Sequence, residues 1–355
     1  MCPVPHATAP QSVAIDPRPI AEPGTASHLP GHATDLEPIL FAQGDGSPDR
    51  APHLPPEFTP QVGQTPVQPG APVLEATALP GSESLSQQDR ERFQRLMQLA
   101  EARSLHRLPM GEIVQTIADH LLGSRYQANL LDQSPQERLV VSLTRFDCVL
   151  FVETVLALAQ GVARQDYSYQ TFTHSLQSLR YRDGVMDGYC SRLHYFSDWI
   201  GDNQRRANVQ NISLTLGGIS LPKMLNFMSG NRQSYARLND ARTYQCVRQM
   251  ESTINPFLLS YLPYHQIRQN YSRLQAGDIV AIATDIPGLD VTHTGLVYRD
   301  PGGGLGLIHA TPGKGVIVSP DLQRYVNQVE DAIGVLLVRP VDPRQKSATP
   351  PERIL

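Results

Sequence analysis

The stretch RFDCVLFVETVLALA (Arg145–Ala159) decides how this chain is read. It predicts a helix entered through Asp147, whose carboxylate suits an N-cap because it accepts orphan backbone N–H groups. Beyond it, Val149, Leu150, Phe151, Val152, Val155, Leu156 and Leu158 leave almost no polar side. A helix apolar all round is a buried helix. Cys148 then falls at or near the first turn of a central helix. Free N–H groups and the helix macrodipole favour the thiolate there, the nucleophilic form of the side chain. Read alone, the same cysteine is an inert core residue. Asp147 beside it raises the thiol pKa and opposes the dipole, unless it faces away to cap the helix.

The last hundred residues supply partners. GDIVAIAT (277–284), VTHTGLVYRD (291–300), LGLIHAT (305–311), 315–320 and 334–340 read as strands. The second and third form a hairpin around a Gly-rich loop at Arg299–Gly303. That loop sets His293 directly opposite His309 on one face, where facing Cβ atoms lie about 4.5–5.5 Å apart. If the sheet packs against the central helix, Cys148 meets His293. A cysteine needs a base, and the base needs a third group to hold its tautomer. Cys148, His293 and His309 fill those roles. Singly, each histidine reads as a satisfied surface or core residue. A Cys/His/His zinc site is a third reading, but local ligand spacing and an obvious general-acid Glu are missing.

Upstream the pattern is helical. Phe93, Leu96, Met97 and Leu99 mark an amphipathic helix from Ser86. Pro109 opens a second helix that Gly123 ends. Short strands are expected near Asn129–Leu131 and at 137–143, helices at 172–181 and 239–253, and a strand in NISLTLGG (211–218). In YCSRLHYFSDWIGDN (189–203), Arg192, His194 and Asp198 are dense for a plain core helix. Helices first and an antiparallel sheet second make an α+β fold.

The first 80 residues hold 17 of the 30 prolines and only two aromatics, Phe41 and Phe58. Two arginines against eight acids give them a charge of about −6, which leaves about +2 for the rest. Such a segment cannot bury enough to offset its ordering entropy. Residues 1–85 are therefore expected as a disordered Pro-rich tail, 86–342 as a catalytic domain and 343–355 as a flexible end. The near-neutral body has no basic footprint for nucleic acid. No run of 18 apolar residues suggests a membrane span, and no signal peptide is visible. Cys2 fits a lipid-bearing cysteine only if the start lies upstream, and no apolar residues precede it. A Cys190–Cys246 bridge is open on spacing alone.

At these residues the chain resembles a known family. FDCVLFVET, LRYRDG, YCSRLHYFSDWI, GDIVAIAT, HTGLV and LIHAT, in this order over roughly 86–340, are similar to the DUF1460 family. Its members resemble N-acetylmuramoyl-L-alanine amidases within the NlpC/P60 superfamily of papain-like cysteine peptidases. The resemblance implies a papain-like core, with the nucleophile helix packed on an antiparallel sheet and helical insertions. It implies Cys148 as nucleophile, His293 as base, His309 as third polar residue, and Tyr126 near the site. It also implies that Ser191, Arg192, His194 and Tyr195 line the substrate cleft. Arg145 and Asp147, flanking the helix start, join these as substrate-binding candidates. The implied partners are peptidoglycan fragments or muropeptides, cleaved between muramic acid and L-Ala. A stem-peptide endopeptidase and a non-catalytic wall-binding module are the alternatives. No cofactor or metal is implied, and the expected location is the periplasm or cell envelope.

Overall fold

The computed structural model describes residues 85–254 and 258–345. The Pro-rich segment expected to be disordered lies outside the described residues, as does the chain from 346 onward. In chain order the elements are α1 (Gln87–Ala102), α2 (Met110–Asp119), β1 (Arg125–Tyr126), β2 (Arg145–Phe146) and α3 (Cys148–Ala163). Then come α4 (Tyr169–Arg180), α5 (Phe196–Arg205), β3 (Val209–Asn211), β4 (Ile219–Pro222), α6 (Phe227–Gly230) and α7 (Ala241–Ile254). The sheet region holds β5 (Leu258–Pro263), β6 (Ile279–Thr284), β7 (Val291–Arg299), β8 (Leu305–Thr311), β9 (Gly315–Ser319), α8 (Leu322–Val326) and β10 (Ala332–Pro340).

Helix α3 is the centre of the fold. Every residue in it except Val149 is buried. Its one charged member, Glu153, is satisfied inside the protein. Glu153 Oε2 accepts from Arg180 Nε at 2.7 Å, and Oε1 accepts from Trp199 Nε1 at 3.2 Å. Arg180, 1% exposed, also donates to Val140 O at 2.6 Å. One buried ion pair thus ties α3, α4 and α5 together.

The sheet is antiparallel, in the order β4-β5-β10-β6-β7-β8-β9, with β3 pairing the far end of β10. Helices come first and the sheet second, the α+β arrangement read from the sequence. Each face carries its own core. Ile279, Ala281, Leu296, Ile308 and Ala310 join the α3 side. Val280, Ile282, Val297, Leu305 and Leu307 join Leu322 and Val326 of α8 on the other. This alternation is the period-two signature of strands buried on both sides.

Several local expectations change. Residues 137–143 are not a strand, although Leu139, Val140, Val141 and Leu143 are buried. Side chains replace a ladder there. Asp89 Oδ1 accepts from Leu143 N at 2.7 Å, Arg180 donates to Val140 O, and the Tyr181 hydroxyl donates to Arg138 O at 3.2 Å. Residues 130–132 form a 3-10 turn, and the short strand is β1 instead. In 211–218 the alternation breaks at a 3-10 turn, Leu214–Leu216, closed by Gly217 at φ +90°. Arg344, expected in a loose end, donates to Leu108 O at 3.0 Å. Cys190 and Cys246 form a disulfide, joining the turn at Tyr189–Ser191 to α7.

Candidate active site

Asp147 starts α3 as its N-cap, and its Oδ1 accepts from Leu150 N at 2.8 Å. The carboxylate is thus committed to the helix end. Cys148 follows in the first turn, where the unpaired N–H groups of a helix start favour negative charge. Cys148 is disulfide-bonded in this structure, so any nucleophilic role belongs to its reduced form.

The histidines meet as expected, but in another register. β7 and β8 pair Leu296 with Ile308 and Arg299 with Leu305, so the loop is Asp300–Gly304. The register moves by two residues from the expected one. An even shift keeps each side chain on its face. By that register His309 faces Gly295, and His293 sits diagonally across from it. A Cβ at Gly295 would stand 2.9 Å from His309 Cβ, 2.9 Å from Ile308 O and 2.9 Å from Leu307 Cδ1. The bare glycine therefore leaves the space through which the diagonal pair closes. His293 Nε2 and His309 Nδ1 are 2.8 Å apart, with ring planes at 85°. On its far side, His309 Nε2 lies 3.0 Å from Ser319 Oγ.

A β-bulge aims His293. β6 pairs Ile282 with His293 and Ala283 with Val291, leaving Thr292 as the extra residue. Val291 and Leu296 therefore both join the α3 side, although a regular strand would set them on opposite faces. The histidine pair takes the α8 side, where Tyr325 packs 4.5 Å from the His309 ring centroid and 5.9 Å from that of His293. α3 packs on β7 and β8 through Val291, Leu296, Ile308 and Ala310, and its first turn reaches the cleft that His293 lines. Burial pushes His293 down to about 3 and His309 down to about 4, with His309 adding to the effect on His293 and Lys314 to that on His309. Both rings are neutral at neutral pH.

The helix start and the histidines still share one end of the sheet. Val316 of β9, next to the partner of His309, exchanges backbone hydrogen bonds with Gly123 and Ser124 at 2.9 Å each. A Cβ on Gly315 would stand 2.2 Å from Ser124 O, so the close approach requires glycine. From Ser124 the chain enters β1, which pairs in parallel with β2, and β2 leads into Asp147 and Cys148. Val149 and His293 line one cleft with His194, Tyr195, Tyr235, Asp290, Thr292 and Thr294. Thr292 Oγ1 and Thr294 Oγ1 are buried there without a hydrogen-bond partner.

The other sequence-derived candidates separate. His194 lines the cleft; its Nε2 lies 2.8 Å from Tyr189 O, and burial holds it well below its usual pKa. Tyr195 also lines the cleft, but its hydroxyl donates to Glu251 Oε1 at 2.8 Å and accepts from Met228 N at 2.9 Å. Tyr126 is half-buried; burial and then the Asp147 charge raise its pKa, which sets it beside the helix start. Arg145 is exposed and donates to Gln127 Oε1 at 3.0 Å. Ser191 closes a local turn, donating to Gly188 O at 2.7 Å. Arg192 is not a cleft residue. It is 3% exposed, donates to Asp132 Oδ1 at 2.7 Å and Leu131 O at 3.1 Å, and pairs with Glu137. Sequence reading passed over Asp290, which accepts from Ser197 N at 2.7 Å near the start of α5. A lone Asp in a loop carries no pattern that would reveal this.

Comparison with known proteins places this architecture. The family profile described as AmiA-like, N-acetylmuramoyl-L-alanine amidase-like matches residues 116–334, and the chain belongs to that family. Among solved structures it is similar to an N-acetylmuramoyl-L-alanine amidase from Bacteroides uniformis, at 30% identity and a TM-score of 0.62, over 65% of this chain and 99% of that one. A Bacteroides fragilis protein, provisionally called a xylanase, matches at 29% identity and 0.59 over 63% and 99%. A Legionella pneumophila protein of the DUF1460 family shares the fold at 18% identity and 0.53, over 71% and 95%. No curated protein sequence matches.

Proposed function

We propose that this chain hydrolyses the amide between N-acetylmuramic acid and L-Ala in peptidoglycan fragments, using Cys148 as nucleophile and His293 as base. The observation that carries the reading is the hydrogen bond between His293 Nε2 and His309 Nδ1 at 2.8 Å. It occupies one nitrogen of His293 and leaves Nδ1 to serve a thiol. It also occupies a nitrogen on each ring that a shared zinc ion would use. The reduced Cys148 gives its proton to His293 Nδ1 and attacks the amide carbonyl. The oxyanion is stabilised by N–H groups of the first turn of α3. His293 then protonates the leaving amine and activates water against the thioester. His309 keeps the His293 ring oriented.

The acyl-amidase reading is supported by the family and by the Bacteroides uniformis amidase. The NlpC/P60 assignment is supported by the nucleophile-helix and paired-histidine layout. A location in the cell envelope is supported by the Cys190–Cys246 disulfide, since such bonds persist in oxidising compartments. The test is a purified muropeptide digest under reducing conditions, with mass spectrometry of products. Free intact stem peptide plus sugar is the expected result, lost on the order of 10⁴-fold in Cys148→Ala and His293→Ala. A shortened stem indicates an endopeptidase, unchanged muropeptides a wall-binding module, and undiminished cleavage by either variant sinks the mechanism.

A further inference from the structure

The histidine pair ends on a third residue that the reaction scheme above does not use. Ser319 closes β9 on the same face as His309, one diagonal step across the β8–β9 pair, just as His309 is one diagonal step from His293. Its Oγ lies 3.0 Å from His309 Nε2. His309 is fully buried, so Ser319 and His293 together take up both of its ring nitrogens. Ser319 itself is only partly buried.

A neutral imidazole carries one N–H. Two proton arrangements therefore fit the chain of three residues. In the first, His293 Nε2–H donates to His309 Nδ1, and His309 Nε2–H donates to Ser319 Oγ. His293 Nδ1 is then a lone pair, able to receive a proton. In the second, the Ser319 hydroxyl donates to His309 Nε2, and His309 Nδ1–H donates to His293 Nε2. His293 Nδ1 then already bears hydrogen and cannot act as base. The depressed pKa of both rings keeps the pair neutral, so the choice lies between these two arrangements.

We infer that Ser319 is a positioning residue whose hydroxyl oxygen accepts from His309 Nε2–H and thereby keeps His293 Nδ1 free as the base. The inference rests on the proposed function for its catalytic meaning, but the tautomer it predicts is a property of the folded protein. The partly exposed Ser319 favours the first arrangement, because a hydroxyl that accepts from the buried ring can turn its own hydrogen outward. Removing it leaves the inner nitrogen of a buried histidine without a partner, and the ring is free to change tautomer.

The experiment uses protein with ¹⁵N-labelled histidine, in wild type and in Ser319→Ala, Ser319→Thr and Ser319→Val. Threonine and valine share a shape and differ in the hydroxyl, so the pair separates hydrogen bonding from packing if alanine fails to fold. The expected result is an Nε2–H signature for His309 in wild type and Ser319→Thr, altered in Ser319→Ala and Ser319→Val. With muropeptide, kcat falls about tenfold in the two variants lacking the hydroxyl and KM stays unchanged. A wild-type His309 protonated on Nδ1, or an unaltered signature in both Ser319→Ala and Ser319→Val, overturns the inference. So does a changed signature with undiminished kcat. If wild type does not cleave muropeptide, the amidase reading fails while the tautomer measurement still decides the role of Ser319.

Discussion

Two buried polar clusters in this protein are built in opposite ways. Around α3, Glu153, Arg180 and Trp199 form a buried ion pair with an added hydrogen bond, joining three helices. On the other face of the sheet, His293, His309 and Ser319 form an uncharged chain with one nitrogen left over at the cleft. The first holds three helices in place. The second keeps an atom in reserve, which is what a reacting group requires. The contrast shows how burial alone fails to separate structural from functional polar residues: Arg180 Nη2 is also left without a partner, but only His293 lines the cleft.

The comparison breaks most sharply if the chemistry is tested on both clusters. His293→Ala is expected to abolish muropeptide cleavage, on the order of 10⁴-fold, while leaving the folded state largely intact by circular dichroism. Arg180→Met is expected to do the reverse. It leaves Glu153 buried without its cation and lowers stability by about 3–5 kcal/mol in urea melts, with activity per folded molecule retained. Combining it with Glu153→Leu should recover part of that loss, because two apolar side chains remove the uncompensated charge. A fully additive double variant would show that the pair is not the strut described.

A smaller effect concerns pH. The unfolded chain titrates its histidines near 6.5, whereas His293 and His309 are held down to about 3 and about 4 in the fold. The unfolded state therefore binds protons first as pH falls. Stability from this pair is full above about 6.5 and is lost as pH drops towards the folded values. Urea melts at pH 7.5 and 6 should differ by about 1.5 kcal/mol from the two histidines together, and by about half as much in His309→Gln. An unchanged slope in the variant would show that the pair is not held neutral. Smallest is Asp147→Ala, expected to cost about 1 kcal/mol through the lost cap on Leu150 N. If instead KM for muropeptide rises steeply, Asp147 contacts substrate as well.

What was legible in the sequence follows from interactions that are local or periodic. α3 is marked by an unbroken apolar run behind a capping Asp, and the β7–β8 hairpin by alternation around a Gly-rich loop. The histidines share a face whichever even register the hairpin adopts, so that expectation survived a loop placed one residue early. Arg192 was misread because its sequence surroundings say nothing of Asp132 and Glu137, roughly sixty residues upstream. Residues 137–143 were misread because their backbone groups are satisfied by side chains of Asp89, Arg180 and Tyr181. No strand pattern distinguishes that from a ladder.

By itself, then, the sequence determined the central helix with its thiol, the α+β order and the pairing of two histidines, because caps and periodic burial act over a few residues. Only the tertiary structure decided the rest. It fixed the bulge at Thr292 that turns His293, the face on which the pair sits, the ion pair beneath α3 and the reach of Ser319 to His309. Those depend on which distant backbones lie side by side, and a one-dimensional pattern does not encode that distance.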